Sequence, residues 1–462
     1  MNLQRRTFLK QTAAIGIGAF VANSARILVG DETSANEKLN IASIGVGGKG
    51  GSDCSHAGAL GNMVAICDID ENTLNSKGNE FKDARKYFDF RAMLTEMGDK
   101  IDAVTVSTPD HTHATAAAMA MNMGKHVYCQ KPLAWSVHEC RVLRTLAKEK
   151  KVSTQMGNQG SAESGLRRAV EIIQAGVIGN VTEIHVWTNR PVWPQAPKVV
   201  SRPVKSVEVP KHVHWNEWLG PAPERPYGGD RVYHSFNWRG WWDFGTGALG
   251  DMACHTANMA FRAAKLGLPT RISAESGVVN PETFPAWARI TYEFPSREGL
   301  PPVKLMWYEG KKDGQLVLPD PKLLYGQTPP GSGLLLVGEK GTLYSPNDYG
   351  ASYKLYPEEN YRDYKGPEET IARKDGRGTD EWMKFEWLRG AKGGPAPYSN
   401  FEIAGALTES MILGNIAVRT SRSLDYDAEK MAFTNQPEAD QFLSRPYREG
   451  WALAGEELLK RS

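Results

Sequence analysis

Cysteine is sparse in this chain, and its placement matters more than its number. The five residues, Cys54, Cys67, Cys129, Cys140 and Cys254, are odd in count and form no C-x-x-C pair. That argues against a disulfide framework even in an oxidising compartment, and leaves these thiols as small side chains for a core. A surplus of either charge is also missing. Lys and Arg number 55 against 53 Asp and Glu, and three of the positive charges (Arg5, Arg6, Lys10) crowd at the N-terminus. Without those three, 52 basic residues face 53 acidic ones, which argues against a nucleic-acid partner or an anionic membrane surface. Past the first 25 residues there is no run of about eighteen apolar residues, so no integral membrane span is expected. What remains is an ordinary composition, 41% hydrophobic and 23% charged over 462 residues, enough for two domains with proper cores.

The N-terminal stretch QRRTFLKQTAAIGIGAF reads as an export label. Arg5-Arg6 followed by Thr7, Phe8, Leu9 and Lys10 resembles the bacterial twin-arginine signal. The apolar segment behind it is rich in Gly and Ala and too short to span a bilayer stably. Small residues at Ala22, Ser24 and Ala25 offer a cleavage site. Residues 1–25 are therefore expected to be a signal peptide and residues 26–37 a flexible polar leader. An ordinary N-terminal helix or retained anchor is the plain alternative. The expected location is the periplasm or another exported site, reached through the twin-arginine export machinery, a route that carries folded proteins.

Next comes a dinucleotide grip. The apolar strand LNIASI leads straight into Gly45-Val46-Gly47-Gly48-Lys49-Gly50, a G-x-G-x-x-G spacing with Gly45, Gly47 and Gly50 in register and Gly48 inside the same turn. The first glycine permits a tight turn, the second lets the backbone approach a pyrophosphate, and the third lets the helix pack close to the strand. The next strand, MVAICD, ends at Asp68, whose carboxylate suits both ribose hydroxyls and repels a 2′-phosphate. The expected cofactor is NAD rather than NADP. Strand and helix patterns keep alternating through IDAVTVSTP, HVYCQKP and VSTQMG, which predicts an α/β fold opening with a doubly wound parallel Rossmann sheet over residues 38–159. The segments STPDHTH, QKP and GNQ then fall at C-terminal strand ends, where ligands bind in such sheets.

GVGGKG, STPDHTH, QKP and the later GTGALGDMACH together resemble the glucose–fructose oxidoreductase / inositol dehydrogenase / rhizopine-catabolism family of NAD(P)-dependent oxidoreductases. Exported members with twin-arginine labels form one branch of it. The resemblance implies that Lys131 sits beside the nicotinamide and substrate, and that Asp251 and His255, on one helix, complete a catalytic trio. It also implies that Thr108, Pro109 and His113, with Gln130 and Lys131, lie on the cofactor side with the glycine turn and Asp68. Gln130 stands where the family usually has Glu, and Asp110 where Asn is common. Asp251 and His255 are four apart and share a helix face; a carboxylate beside an imidazole is expected to raise its basicity and fix its orientation. His255 could then take a proton from a sugar hydroxyl while the adjacent carbon gives up a hydride, with Lys131 stabilising alkoxide charge. A metal site is not expected, because the Asp–His pair lacks a third ligand and His111-Thr-His113 fits a cofactor-side loop better.

The second domain, residues 160–462, is expected to be α+β with a large, mostly antiparallel sheet that faces the cofactor and supports a homo-oligomer, as the resemblance implies. Eight prolines lie between Pro191 and Pro226, and seven of the 13 Trp lie between Trp187 and Trp242. Proline-rich loops of this length inside a compact protein are usually functional or disordered, and interleaved Trp193, Trp215, Trp218 and Tyr227 argue for order. Aromatic faces beside the catalytic helix suit a carbohydrate or polyol substrate, although core and interface roles explain any single Trp equally well. Three functions are weighed: a sugar or polyol oxidoreductase with tightly bound, internally recycled NAD; an NAD-dependent glycoside hydrolase or epimerase with transient oxidation; and a non-catalytic sugar- or nucleotide-binding protein.

Overall fold

The computed structural model describes residues 38–461, residue 206 excepted; the expected signal peptide, its expected cleavage site and the expected leader over residues 26–37 lie outside the described residues. The first half alternates as the sequence suggests. It runs β1 (Asn40–Ile44), α1 (Gly48–Leu60), β2 (Asn62–Cys67), α2 (Glu71–Gly78), β3 (Arg85–Tyr87), α3 (Phe90–Met97), β4 (Ala103–Val106), α4 (Asp110–Asn122), β5 (His126–Cys129), α5 (Val137–Lys150) and β6 (Thr154–Met156). The six strands are all parallel, in the order β3-β2-β1-β4-β5-β6. Every residue of β4 is buried, which is why its sequence AVTV is a continuous rather than alternating run. The chain reverses its direction of travel across the sheet between β1 and β4. In a sheet wound this way, that switch point is where a ligand crevice opens at the strands' C-terminal ends.

The second half adds α6 (Ser164–Gln174), β7 (Val181–Thr188), α7 (Trp215–Leu219), α8 (Gly247–Thr256), α9 (Asn258–Ala263), β8 (Arg271–Ser276), β9 (Trp287–Phe294), β10 (Val303–Lys312), β11 (Gln315–Leu316), β12 (Gly333–Gly338), β13 (Thr342–Ser345), β14 (Lys354–Tyr356), α10 (Thr379–Ala391), α11 (Phe401–Thr420), β15 (Leu424–Asp427) and β16 (Ala432–Phe433). Ten strands form one sheet, ordered β14-β13-β12-β7-β10-β9-β8-β15-β16, with β11 paired to β10. Only β7 and β10 run parallel; every other pair is antiparallel. The hairpin read in LLLVGEKGTLYS is β12–β13, closed by Gly338 N–H donating to Gly341 O at 2.8 Å.

Two helices tie the halves together, so the chain from Leu39 onward is one compact unit. α11 packs on α5 and β6 of the first half and on α8, β8 and β9 of the second. By length and composition α11 is apolar enough to cross a membrane, but 78% of its most apolar window is buried inside the protein. It also carries Glu409, fully buried and gripped by Arg141 at 2.6 Å through both Nε and Nη2. It is a core helix. α10, far along the chain, returns to the N-terminal sheet, where Trp382, Met383, Trp387 and Leu388 pack on Ile41, Ala57, Ala103 and Tyr128. A split into 38–159 and 160–462 thus leaves one helix of the later segment covering the earlier sheet.

The proline-rich stretch after β7 is ordered as a strap against the N-terminal half. Val213 bridges antiparallel to Asp70; Glu71 N–H donates to His212 O and His214 N–H to Ile69 O, each at 2.9 Å. Its aromatics make a small core of their own, in which Trp215 stacks on Trp218 with ring centroids 4.6 Å apart.

Candidate functional site

Contacts that a side chain would break build the glycine turn. Gly45 has φ +76°, and a Cβ there would lie 2.6 Å from the Ser107 carbonyl oxygen. On Gly50 a Cβ would lie 2.1 Å from the carbonyl oxygen of Gly45. α1 starts after Gly47 with no side-chain cap and no acid in its first turn, so its first N–H groups remain for a ligand. Asp68 folds its carboxylate over this turn, accepting from Val46 N–H at 2.8 Å and Asp70 N–H at 3.0 Å. Burial pushes its pKa up, against the pull of those N–H donors.

One cleft of about 820 Å³ is lined by Gly45, Gly47, Gly48 and Gly50, by Asp68, and by Thr108, Pro109, Gln130, Lys131, Asp251 and His255. The structure therefore brings nine of the cofactor-side residues and the two helix residues to one crevice. His113 is the exception. It sits behind the wall, buried, with Nδ1 2.7 Å from Pro132 O and Nε2 2.8 Å from Thr108 O. Burial pulls its pKa down to about 4, so the neutral ring satisfies one carbonyl at a time and staples the STPD loop to the QKP turn rather than reaching a cofactor. His111 does the same between Trp218 O and Phe244 O.

At the far end, Lys131 Nζ donates to Asp251 Oδ1 and to Asp251 O, both at 2.8 Å. Arg239, which the sequence reading did not single out, donates from Nε to the same Oδ1 at 3.1 Å. Burial opposes ionisation of Asp251, but Lys131 and Arg239 overcome it and hold the carboxyl far below the usual range. This overturns the expected effect on His255. The imidazole makes no hydrogen bond to Asp251, its Nδ1 is buried without a partner, and burial together with Lys131 pushes its pKa well below the ordinary value. His255 is neutral and stands edge-on to the Tyr349 ring, centroids 4.8 Å apart. The shared helix face is real, and Asp251 does pull the His255 pKa upward, but burial of the ring and the Lys131 charge outweigh it.

Two buried networks hold these pieces in place. Asp110 accepts from Thr246 N–H at 3.1 Å and Thr246 Oγ at 2.6 Å, tying the STPD loop to the start of α8; burial pushes its pKa up to about 7. Behind the glycine turn, fully buried Asp53 accepts from Lys49 at 2.9 Å, Ser107 at 2.9 Å, Gln130 at 2.7 Å and Lys384 of α10. Lys384 is itself fully buried, so α10 supplies a charge that nothing local along the chain connects with residue 53. Gln130 explains itself here: its amide donates to Asp53 Oδ2, where a glutamate would oppose one carboxylate with another.

Of the aromatics in the strap, Trp193 and Trp218 line the cleft, joined by Phe236 and Trp238, whereas Trp215 and Tyr227 belong to the strap's own packing. All five cysteines are free and buried. Among the described residues, no group of three or more His, Cys, Asp or Glu could hold a metal ion.

Comparison with known proteins agrees with this fold. Residues 39–158 match the oxidoreductase family's NAD-binding Rossmann fold, and residues 166–300 match that family's C-terminal alpha/beta domain. Inositol 2-dehydrogenase from Salmonella typhimurium (strain LT2) is 28% identical over 125 residues, covering 27% of this chain and 37% of that protein. Glycosyl hydrolase family 109 protein 1 from Shewanella sp. (strain ANA-3) is 28% identical over 209 residues, covering 39% of this chain and 44% of that protein. The chain thus spans from a quarter to under half of the length of the curated relatives it matches. The fold of levoglucosan dehydrogenase, solved with NADH, superposes with a TM-score of 0.57 at 16% identity over 84% of this chain and 98% of that one. An NAD-binding Rossmann domain carrying the glycine turn, followed by the matching second domain, places this chain in the glucose–fructose oxidoreductase / inositol dehydrogenase / rhizopine-catabolism family of oxidoreductases.

Proposed function

We propose that this protein is an NAD(H)-dependent oxidoreductase that moves a hydride between the cofactor and a sugar, polyol or sugar derivative. The observation that carries this reading is the convergence of Lys131 and Asp251 at 2.8 Å, with His255 on the same wall of the cleft that holds the glycine turn. The site fits the cofactor: Gly47 and Gly48 leave the start of α1 open to a pyrophosphate, and Asp68 presents a carboxylate where a ribose would sit. When bound, NAD supplies hydride acceptance at its nicotinamide ring. The chain's own residues do the rest. Lys131, anchored by Asp251, orients the reacting hydroxyl and stabilises negative charge on its oxygen. Neutral His255 has a lone pair free for that hydroxyl's proton. Arg239 and Asp110 act at one remove, fixing Asp251 and the start of α8.

Recycling in place is part of the same reading. The twin-arginine-like label suits export of a protein already folded around NAD, and outside the cell no free nicotinamide pool would recharge it. The strap's bridge at Asp70 and Val213, which fixes the loop just after Asp68, supports slow release by holding that edge of the cleft in place. The likeness to the glycosyl hydrolase family 109 protein favours a second reading, net hydrolysis through transient oxidation and re-reduction of the sugar. A lysine paired to a carboxylate at the reacting end favours catalysis over a purely binding role. Denaturing the purified mature protein and identifying the released ligand by mass spectrometry tests the bound-cofactor claim: stoichiometric NAD supports it, and empty protein with millimolar NAD affinity refutes it. Aryl glycosides, followed at both the reduced-nicotinamide band and the free aglycone, separate net oxidation from hydrolysis.

A further inference from the structure

The reacting end of the cleft carries more positive charge than its own acids neutralise. Lys131, Arg239 and Arg190 all line it. Asp251 answers Lys131 and Arg239 together, through a single oxygen. Asp110, with its pKa pushed up to about 7, adds at most a partial charge near neutrality. The remaining acids of the lining belong to the loops after β2 and β3 and to α7, on the ribose side.

Arg190 stands apart from the other two cations. It follows β7, its guanidinium donates to the side-chain oxygen of Asn189, and among the described residues no carboxylate lies within ion-pairing distance of it. Its side chain is only partly exposed, and its field reaches His255 and Tyr349 on the same lining. NAD offers it no partner, because the pyrophosphate belongs at the glycine turn and an oxidised nicotinamide ring is itself positive. A half-buried guanidinium on the same lining as Lys131 and Arg239, with no carboxylate of its own, is a ready partner for an anionic group of a ligand.

We propose that the substrate is an acidic sugar or polyol and that Arg190 binds its carboxylate, fixing which end of the molecule faces Lys131 and His255. This rests on the oxidoreductase reading for the word substrate, but not for the binding it describes. A guanidinium edge matches a carboxylate in a two-point contact, which selects orientation as well as charge.

The test is equilibrium binding to the NAD-loaded full-length mature protein, by calorimetry, of three sugar acids against their neutral counterparts: D-glucuronate with D-glucose, D-galacturonate with D-galactose, and D-gluconate with D-glucitol. D-glucose 6-phosphate forms a separate arm, since a phosphate ester also offers negative charge to a guanidinium. The expected result is at least about tenfold tighter binding of one acid than of its neutral partner. Arg190→Gln should erase that difference, and Arg190→Lys should restore part of it. Equal binding of acids and neutrals, failure of every acid to bind, preference for the phosphate ester over all three acids, or an acid preference that survives Arg190→Gln would each overturn the proposal. Because binding is read without turnover, a protein that selects acids yet never reduces NAD would refute the oxidoreductase reading alone.

Discussion

Gln130 Nε2 donates to Asp53 Oδ2 at 2.7 Å, and this one contact joins the QKP turn to the helix that starts at the glycine turn. Asp53 is fully buried and needs all four of its donors. The first prediction concerns the family's usual residue at this position. Gln130→Glu should destabilise the fold by about 1–3 kcal/mol at neutral pH, since it trades a donor for a second buried carboxylate. The new acid's folded pKa would be raised above its unfolded value, so the deficit should vanish as pH falls below about 4 and grow as pH rises. Denaturant titrations of both proteins across that range check it.

Lys384→Met should be more damaging, by about 3–5 kcal/mol, because it leaves Asp53 buried with only Lys49 as a counter-charge. It should also weaken NAD binding, since Asp53 sits on α1. Chemical denaturation and NAD titration on one preparation would show whether the two losses travel together.

Asp110 gives a prediction about pH. Its folded pKa of about 7 lies above the ordinary aspartate value, so its contribution to stability is whole at low pH and is lost as pH climbs through 7. Asn keeps an oxygen to accept from Thr246, so Asp110→Asn should fold normally and flatten the decline in stability between about pH 4 and 7. Melting temperatures at stepped pH measure it, and an unchanged slope would mean that Asp110 is ionised in the folded protein across that range.

How much of this was readable beforehand depended on distance along the chain. Gly45, Gly47, Gly50 and Asp68 lie within one βαβ unit whose spacing is dictated by local geometry, so strand, turn and acid could be placed together. Lys131, Asp251 and His255 came through motif order rather than through any periodicity. Arg239 was not legible, because nothing local links it to the carboxylate it shares with Lys131, and the expectation for His255 failed because helix spacing does not show how deeply its ring is buried. His113 misled for the opposite reason: a histidine between a strand and a helix looks available until the carbonyls of Thr108 and Pro132 are seen on either side of its ring. α10 has an unremarkable pattern of its own, and only the tertiary fold shows Trp387 and Lys384 turned onto the first sheet.

Cofactor choice should turn on Asp68. Asp68→Asn keeps one of the two oxygens that accept from Val46 and Asp70 and removes the charge that repels a 2′-phosphate. NADP affinity relative to NAD should rise by about tenfold or more. Dissociation constants for both dinucleotides measure it, and an unchanged ratio would assign selectivity to Asp70 and Asp89 instead.

The central claim, that an anchored lysine serves hydride chemistry beside NAD, is tested most directly by rapid-mixing absorbance of Lys131→Met and the parent protein at saturating NAD. Both should be mixed with the same panel of acidic and neutral sugars and polyols, with NAD affinity measured on the same samples. The account predicts that the parent forms reduced nicotinamide with at least one compound. It also predicts that the variant holds NAD within about threefold of the parent yet reduces it at least about 100-fold more slowly. Equal rates in the two proteins, or a parent that binds NAD and reduces it with nothing in the panel, would contradict it.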